Sequence, residues 1–291
     1  MTVESPPDPE TIARKALSHI GDIATLPEVT LRIIRVVEDP KSTARDLHEI
    51  IKTDPALSAK ILKVVNSAFY GLPGQVANLD RAIVLLGLTA VKNISISASV
   101  TRLFNRTRGP ARALARQLWS HSVAVAVASR LITRTIGRKL AAEEAFLAGL
   151  IHDLGIIVEL QCWPDRMAKI VEYCTRRQAD FCQTERQAIG ADHQTFGRAL
   201  ATKWNFPRHL RTVMGYHHTT DRLVPDQREL ATIVHLADIL AASAQLGLSV
   251  TTDRQIDPAM LEAIGLNHTR LEPIIQQLPE QHAEAESLLH D

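Results

Sequence analysis

The sequence predicts an all-α protein, a multi-helix bundle of two packed helical lobes. From Glu10 onward, apolar residues recur at i, i+3 and i+4 intervals in almost every segment, which is the spacing of amphipathic helices. Helix-start signals such as Asp54-Pro55 separate these segments, whereas no alternating apolar run is bounded by hairpin turn residues. Since 291 residues can bury a large core, one or two helical domains are expected.

Composition and charge limit the classes of function. A hydrophobic fraction of 45% and a charged fraction of 22% are typical of a soluble globular protein. The formal net charge of +1 gives no overall field toward nucleic acid or an anionic membrane, so neither is expected as a partner. Residues 1–9 are acidic and proline-rich without an apolar core. They predict a flexible tail, no signal peptide and a cytoplasmic location.

The cysteines agree with a reducing compartment. There are three, and no two form a Cys-x-x-Cys pair. A structural zinc site that used all three is an alternative, but three buried thiols are the simpler interpretation of Cys162, Cys174 and Cys182.

Residues 10–108 predict an N-terminal lobe of short helices. Asp54 caps a helix that starts at Pro55, and Gly71 stands near its expected end. Asn78 or Asp80 can cap a following helix that Gly87 closes. A further helix is expected over residues 89–105. The lobe offers no catalytic set.

A local basic patch lies at the end of this lobe. Its arginines form two i, i+4 pairs that could each present two guanidinium groups to a phosphate or an acidic partner. A solvated helix face is the alternative interpretation, and no aromatic residues interleave as on a single-strand binding surface. The candidate contacts are Arg102, Arg106, Arg112 and Arg116.

Gly109-Pro110 is the candidate boundary to a second lobe over residues 109–245. A long helix is expected over residues 111–136. Its central run, Val123–Ser129, alternates valine and alanine as a strand would. The flanks are helical and no turn signal separates them, so we predict one continuous helix with His121 on its inner face.

The stretch Ala145–Ile156 carries the adjacent pair His152-Asp153 in an otherwise apolar helix, which Gly155 is expected to end or loosen. Burying an ionisable pair is unfavourable unless something neutralises and hydrogen-bonds it. A metal ion would do so, because imidazole and carboxylate are both common ligands. Taken alone, the pair would be better explained by a buried His–Asp hydrogen bond.

Further residues of metal-ligand type stand beside apolar helix faces. Each alone would be interpreted as structural. Together with the pair they form a set in which every member lies on or next to a predicted helix. The additional candidates are His121, His193, His217, His218 and Asp238.

In order along the chain, these residues match the ligand pattern of the HD-superfamily metal-dependent phosphohydrolases. The chain most resembles the HDOD family of bacterial signalling proteins, relatives of the HD-GYP cyclic-di-GMP phosphodiesterases. The resemblance spans roughly residues 20–245. It extends to Leu26-Pro27, Asp54–Ser58, Asn66–Gly71, Ala82–Gly87, Gly149–Gly155 and Trp204–Pro207 ahead of Tyr216-His217-His218.

Departures from the HD-GYP pattern limit what the resemblance implies. Active HD-GYP enzymes carry a lysine three residues beyond the HD aspartate, where this chain has Ile156. They also carry Gly-Tyr-Pro after the paired histidines, whereas this chain continues Thr219–Pro225. Some relatives have an acidic ligand one turn before the first histidine, and here that position is Gln117.

The resemblance implies an HD-like second lobe that holds one or two divalent ions, with iron, manganese, nickel and zinc as candidates. Asp153 would bridge two ions and would be the catalytic residue of an active site. The implied metal ligands are His121, His152, Asp153, His193, His217, His218 and Asp238.

Three functions remain open at this point. We prefer a non-catalytic signal-transduction module that acts through protein or ligand contacts, since HDOD proteins are generally regarded as lacking phosphodiesterase activity. The second is a metal-dependent phosphohydrolase of a nucleotide or other phosphoester. The third is a nucleic-acid-associated regulator using the arginines at 102–116. Unidentified signalling proteins, a nucleotide ligand and an oligomer are the candidate partners.

Residues 246–291 predict closing helices over Asp257–Ala263 and Thr269–Leu289. This tail could pack on the core or form an oligomer contact. His268, His282 and His290 are expected at its surface.

Overall fold

Helices make up the regular secondary structure of the part of the chain that the computed structural model describes, namely residues 8–20, 26–67, 70–72, 74–107, 109, 111–137, 142–248, 250 and 255–290. The all-α prediction is confirmed. The helices are α1 Pro9–His19, α2 Glu28–Glu38, α3 Ala44–Ile51, α4 Pro55–Val65, α5 Leu79–Arg106, α6 Ala111–Ile136, α7 Ala142–Ile151, α8 Leu154–Cys162, α9 Pro164–Arg177, α10 Phe181–Ile189, α11 His193–Lys203, α12 Arg208–Tyr216, α13 Pro225–Ser243, α14 Pro258–Ala263 and α15 His268–His290.

The first lobe packs α2, α3 and α4 around the N-terminal part of α5. The predicted cap is present: Asp54 accepts a hydrogen bond from the Leu57 amide at 2.9 Å. Of the two candidate caps for the next helix, Asn78 is the one used. The helix from Pro55 ends at Val65, earlier than Gly71, because Asn66 turns the chain by hydrogen bonding Leu62 and Val76.

Gly87 breaks α5 with a φ of 82°, a left-handed conformation that glycine adopts without a Cβ penalty. As predicted, the first helical segment ends at Gly87, and α5 consists of two helical segments that meet there at a kink. Of the motif Asn66–Gly71, residues 68 and 69 lie outside the described part of the chain.

In the second lobe, α6 lies at the centre and packs against α7, α13 and α15. Nearly every side chain from Leu118 to Thr133 is buried, which explains the small valine and alanine residues of its middle. The Val123–Ser129 run is helical, as predicted.

The lobes share elements across the expected boundary at residues 108 and 109. Helix α1 packs against α8 and α11 of the second lobe, and Ala13, Ala16 and Leu17 belong to its core. Helix α5 contributes residues as far as Ala98 to the hydrophobic core of the first lobe. It contributes residues from 96–104 to the core of the second lobe. The core thus divides along α5 rather than at Gly109-Pro110. Of the expected 1–9 tail, Pro9 already begins α1.

The helix expected to carry His152-Asp153 is two helices, which corrects the sequence interpretation. Helix α7 ends at Ile151, and α8 begins at Leu154 with Asp153 in the cap position. Gly155 lies inside α8 rather than ending a helix. Its missing side chain lets α8 approach α11, because a Cβ there would stand 1.9 Å from the His193 carbonyl oxygen.

The C-terminal helices pack back on the bundle, with α15 against α6 and α5. His268 is exposed, as expected, and the side chain of His290 is outside the described residues. His282 is only 6% exposed, so its predicted surface position is wrong. It is buried because its Nε2 lies 3.0 Å from the Ser120 carbonyl oxygen on α6, close enough to donate a hydrogen bond.

Two helical stretches are long and apolar enough, by length and composition alone, to cross a membrane: Leu79–Phe104 and Ala142–Cys162. Within their most apolar windows, 67% and 89% of the residues are buried inside the bundle. The second stretch is also interrupted at His152-Asp153. Their hydrophobicity is that of core helices.

Candidate metal centre

The predicted ligands, from five separate parts of the chain, converge on one buried place. The imidazole of His121 comes from the middle of α6, and His152-Asp153 come from the α7–α8 junction. His193 is the first residue of α11, His217 and His218 follow α12, and Asp238 comes from α13. All are 0% exposed except His218, whose side chain is 10% exposed.

Asp153 lies between two groups of histidines. Its Oδ2 is 3.3 Å from His152 Nε2 and 3.9 Å from His121 Nε2. Its Oδ1 is 3.3 Å from His217 Nε2 and 3.5 Å from His193 Nε2. Each carboxylate oxygen thus faces its own pair of imidazoles, which is the arrangement of a bridging ligand.

Hydrogen bonds on the far side of three rings determine which nitrogen faces Asp153. His152 Nδ1 donates to the Gly149 carbonyl at 2.7 Å, and His217 Nδ1 donates to the Val213 carbonyl at 2.9 Å. His193 Nδ1 lies 2.8 Å from Glu185 Oε2 and donates to it. In the neutral rings, each Nε2 therefore carries a lone pair toward the centre.

Lone pairs that face one another in a buried place are unfavourable, and a cation between them would relieve this. Both oxygens of Asp153, both oxygens of Asp238 and the Nε2 atoms of His121 and His152 have no hydrogen-bond partner among the described residues. Leaving such groups unsatisfied costs about 1–3 kcal/mol each, and more for a charged group. A divalent ion would satisfy them together, since imidazole nitrogen and carboxylate oxygen are its usual ligands. The residues present fit such an ion.

The donor atoms fall into groups whose members lie within 4.8 Å of one another. One group is Asp153, His193, His217 and His218, and another is His121, His152 and Asp238. With Asp153 Oδ2 beside the second group, the arrangement can hold two ions, one on each side of Asp153.

The charges of the carboxylates agree with a ligand role. Burial raises the pKa of Asp153, but the surrounding His152, His217 and His193 outweigh it and hold that pKa well below its usual value. Burial likewise opposes ionisation of Asp238, and the contact with His121 at 3.0 Å lowers its pKa. Burial, helped by neighbouring histidines, holds the pKa of His218 well below its usual value. His218 is therefore neutral, which is the form that binds metals.

The sequence reasoning missed a carboxylate behind His193. Glu185 on α10 is 0% exposed, and its Oε2 accepts hydrogen bonds from both the amide and the Nδ1 of His193. Metal-bound histidines commonly donate their second nitrogen to a carboxylate, which fixes the ring orientation. Burial raises the pKa of Glu185 and of its equally buried neighbour Glu159. The sequence signal was weak, an acidic residue in a helix eight positions before a ligand histidine.

His235 was also missed. It forms a third group of potential ligands with His218 and Asp238, within the same 4.8 Å limit. It precedes Asp238 by three residues on α13, so both lie on one face of that helix. This i, i+3 spacing was readable in the sequence.

Two of the further positions singled out by the sequence lie away from ligand roles. Ile156, at the lysine position of the HD-GYP pattern, is buried in α8. Gln117 has an exposed side chain, while its carbonyl accepts a hydrogen bond from the Leu248 amide. Cys182 is buried and forms another group of potential ligands with Glu185 and His193, within 4.8 Å of one another, and all three cysteines are free thiols.

The predicted basic patch occupies the end of α5 and the start of α6. Arg102, Arg112 and Arg116 are exposed and form no ion pair within the described part of the chain. The side chain of Arg106 lies outside the described residues. Arg102, Arg112 and Arg116 do not belong to the buried cluster.

Comparison with known families places most of the chain in one domain. Residues 23–220 match the HDOD domain. An uncharacterized protein of Treponema pallidum (strain Nichols) is 25% identical over 228 residues, which are 78% of this chain and 44% of that protein. The chain thus spans less than half the length of this relative.

Solved structures share the fold. An HDOD domain protein of unknown function from Geobacter sulfurreducens superposes with a TM-score of 0.81 at 23% identity, over 96% of this chain and 98% of that one. A proposed phosphohydrolase from Shewanella amazonensis SB2B gives 0.73 at 22% identity, over 96% and 98%. A proposed signal transduction protein from Marinobacter aquaeolei VT8 gives 0.76 at 19% identity, over 97% of this chain and 66% of that one.

Proposed function

Because the chain belongs to the HDOD family, we propose that it is a cytoplasmic signal-transduction module that binds divalent metal and acts through interaction rather than catalysis. The observation that carries the proposal is the closure of the metal centre. Six of its seven predicted ligands are 0% exposed. A phosphoester substrate must place its own oxygens on the metal, and among the predicted ligands only His218, at 10% exposure, is open to such an approach.

The substitution at Ile156 supports the same conclusion. Where the HD-GYP pattern has a phosphate-binding lysine, this chain has an apolar side chain that is 1% exposed and packed in the core. The arginines at 102, 112 and 116 are outside the buried cluster. The described part of the centre therefore offers no cation of its own to a transferred phosphoryl group.

In this proposal the ligand set holds one or two ions. Asp153 lies between the two groups, with His121, His152 and Asp238 on one side and His193, His217 and His218 on the other. Glu185 orients His193 from behind. The ion would neutralise the buried carboxylates and would connect five segments of the chain through its ligands.

A metal-dependent phosphohydrolase is the second candidate. Its support is the nearly complete ligand set and the likeness to structures described as proposed phosphohydrolases from Shewanella amazonensis SB2B. When bound, a divalent ion would lower the pKa of a coordinated water and polarise a phosphoryl oxygen. Within the chain, Asp153 would position that water, and His218, the one partly exposed ligand, would face an arriving substrate.

Elemental analysis combined with a turnover assay distinguishes the candidates. The full chain, purified without chelator, is expected to carry about one or two divalent ions. Asp153→Ala is expected to lose them, while His268→Ala, which removes an exposed histidine, is expected to keep them. Cyclic dinucleotides and simple phosphomonoesters should be turned over no faster by the wild-type protein than by Asp153→Ala.

Either part of the proposal can fail separately. Turnover by the loaded protein that disappears in Asp153→Ala would establish the phosphohydrolase instead. Less than about a tenth of an ion per chain would refute metal binding.

A further inference from the structure

A further group of potential metal ligands lies beside the buried centre, on its more open side. Its members are His218, just after α12, and His235 and Asp238, both on α13. One ligand atom of each lies within 4.8 Å of the others. We call these three residues the outer group. His235 is absent from the ligand set predicted from the sequence, so the function proposed above does not assign this group.

Asp238 is the member that joins the outer group to the buried centre. Its Oδ1 is 3.0 Å from Nε2 of His121, one of the inner ligands. Its Oδ2 is 3.8 Å from Nδ1 of His218. The side chain is 0% exposed, and neither oxygen has a hydrogen-bond partner among the described residues. Asp238 Oδ2 is therefore a buried acceptor, directed at the outer group, that a cation could satisfy.

The spacing in the outer group fits an ion better than a direct hydrogen bond. A separation of 3.8 Å between His218 Nδ1 and Asp238 Oδ2 is too long for a hydrogen bond. Two ligands that each lie about 2.0–2.2 Å from one ion can be that far apart. The rings of His218 and His235 stand at 89° to each other, with their centroids 5.8 Å apart. Because the rings are not stacked, one nitrogen of each can approach a common ion.

Gln194 fixes the backbone of His218 at this place. The His218 amide donates a hydrogen bond at 3.0 Å to Oε1 of Gln194, a residue that is 5% exposed. A neutral imidazole has one lone pair and so binds one ion at a time. When His218 serves the outer group, Asp153, His193 and His217 remain for the inner position.

The outer group differs from the inner ligands in its access to solvent. The side chain of His218 is 10% exposed and His235 is partly exposed, whereas His121, His152 and Asp153 are 0% exposed. Two imidazoles and one carboxylate leave at least one position of a four-coordinate ion open to water. An ion near the surface can be gained and lost without opening the bundle, while release of an enclosed ion needs local unfolding.

We propose that His218, His235 and Asp238 form a separate outer site that binds one exchangeable divalent transition-metal ion. Two imidazole ligands suit zinc and its neighbours in the first transition row, whereas magnesium and calcium prefer oxygen. The inference rests on the metal-binding part of the function proposed above, because Asp238 is shared between the two positions. It adds to that function a site whose occupancy follows the concentration of free metal, while the inner ions stay enclosed.

Zinc titration of the full chain tests the outer site. The chain is purified without chelator and its metal content is measured. Zinc is then added in competition with a chromogenic zinc indicator. The wild-type chain should take up about one further ion with a dissociation constant of about 10 μM or tighter, since three protein ligands hold it. Magnesium in about hundredfold excess should not displace this ion.

His235→Ala removes one outer ligand and leaves the inner groups intact. It should bind the further ion about tenfold more weakly or worse, since even the loss of a residue behind a ligand costs about 10–100-fold in affinity. It should keep the metal that it carries after purification. His235→Gln, which retains a polar side chain, should behave in the same way, and the thermal midpoint reports whether each variant is folded.

The matched control is His48→Ala. His48 also contacts a carboxylate, that of Asp80, but it lies in the first lobe, away from the metal centre. The affinity of this variant for the further ion should stay within about threefold of wild type. A larger loss would show that the zinc binds to surface histidines and would overturn the proposal.

Failure of this inference and failure of the proposed function give different results. Unchanged affinity for the further ion in a folded His235→Ala or His235→Gln variant would refute the outer site alone, as would the absence of a further ion in the wild-type chain. Less than about a tenth of an ion per chain after purification would refute the inner centre, and the zinc that depends on His235 would still report the outer site. Zinc-soaked crystals with anomalous density only at the inner groups would also overturn the proposal.

Discussion

At the scale of single residues, the centre depends on where protons and lone pairs are placed. Gly149, Val213 and Glu185 accept hydrogen bonds from the far nitrogens of three histidines, which turns each Nε2 toward Asp153. No atom of Asp153 is exposed. Two of these three acceptors are backbone carbonyls, so the tautomers follow from helix geometry as well as from side-chain identity.

Gly155 gives a prediction at this scale. A Cβ at this position would lie 1.9 Å from the His193 carbonyl oxygen and 2.9 Å from the Gly197 amide, and backbone atoms cannot move aside as a flexible side chain can. We expect Gly155→Ala to lower the free energy of unfolding by about 3 kcal/mol or more. The shift between α8 and α11 should also reduce bound metal. Denaturant unfolding and elemental analysis measure both effects.

Gly215→Ala is the matched control for this change. The three atoms nearest to a Cβ at Gly215 all belong to the side chain of Arg198, the closest at 3.1 Å, so we expect a loss of about 1 kcal/mol or less and normal metal content. Equal stability of the two variants would contradict the close approach of α8 and α11.

At the scale of elements, the break between α7 and α8 brings His152 and Asp153 into the centre. A continuous helix would rotate Asp153 by about 100° from His152. In the observed turn, both side chains reach the same place, with His152 Nε2 and Asp153 Oδ2 3.3 Å apart. Likewise α11 starts at His193 because Asp192 caps it, accepting from the Thr195 amide and hydroxyl at 3.0 and 2.8 Å.

The contact between α7 and α12 gives a prediction of pH dependence. His209 Nε2 on α12 lies 2.8 Å from Glu144 Oε1 on α7, and this hydrogen bond with His209 lowers the pKa of Glu144 against the opposing effect of burial. A carboxylate whose pKa is lower in the folded than in the unfolded protein stabilises the folded state at pH values above the unfolded pKa, which is about 4.3. This contribution is lost as the pH falls through the pKa of the folded state.

We therefore expect Glu144→Gln to be less stable than wild type at pH 5.5 and nearly equal to it at pH 3. The difference at pH 5.5 should be about 1 kcal/mol or less, because the pair is partly exposed. Urea unfolding at both pH values measures it, with Glu262→Gln, at an exposed position, as the control. A constant difference across this range would contradict the assignment.

At the scale of the whole molecule, the metal centre holds together elements that are remote in sequence. Helices α6, α7, α8, α11, α12 and α13 each carry or adjoin a predicted ligand, so an ion there would link most of the second lobe. The C-terminal helix reaches the same region through His282, which bonds to Ser120 next to His121. The described part of the second lobe is thus arranged around a set of charges that are unfavourable without a cation.

Removal of metal should therefore destabilise the whole chain. A ligand present at about 100 times its dissociation constant stabilises the folded state by about 2.7 kcal/mol. Dialysis against a chelator should lower the thermal midpoint by about 5–10 °C, and divalent ions should restore it. Asp153→Asn, which retains the shape but not the charge, should show no such response. A midpoint that is insensitive to chelator and metal in the wild-type chain would refute the centre.

Much of this organisation was predictable from local patterns. The all-α class, the long central helix and the caps at Asp54 and Asn78 follow from periodicity and capping chemistry, which act over a few residues. The seven predicted ligands came from residue types and from the resemblance to the HDOD family, and the structure brings all of them to one place.

The sequence by itself determined the fold class, the approximate helices and the residue types of the centre, because these depend on spacing along one segment. Only the tertiary structure decided the break at His152-Asp153, the placement of α1 with the second lobe, the burial of His282 and the parts played by Glu185 and His235. Each of these depends on which distant segments touch. No local pattern records the free energy of such contacts.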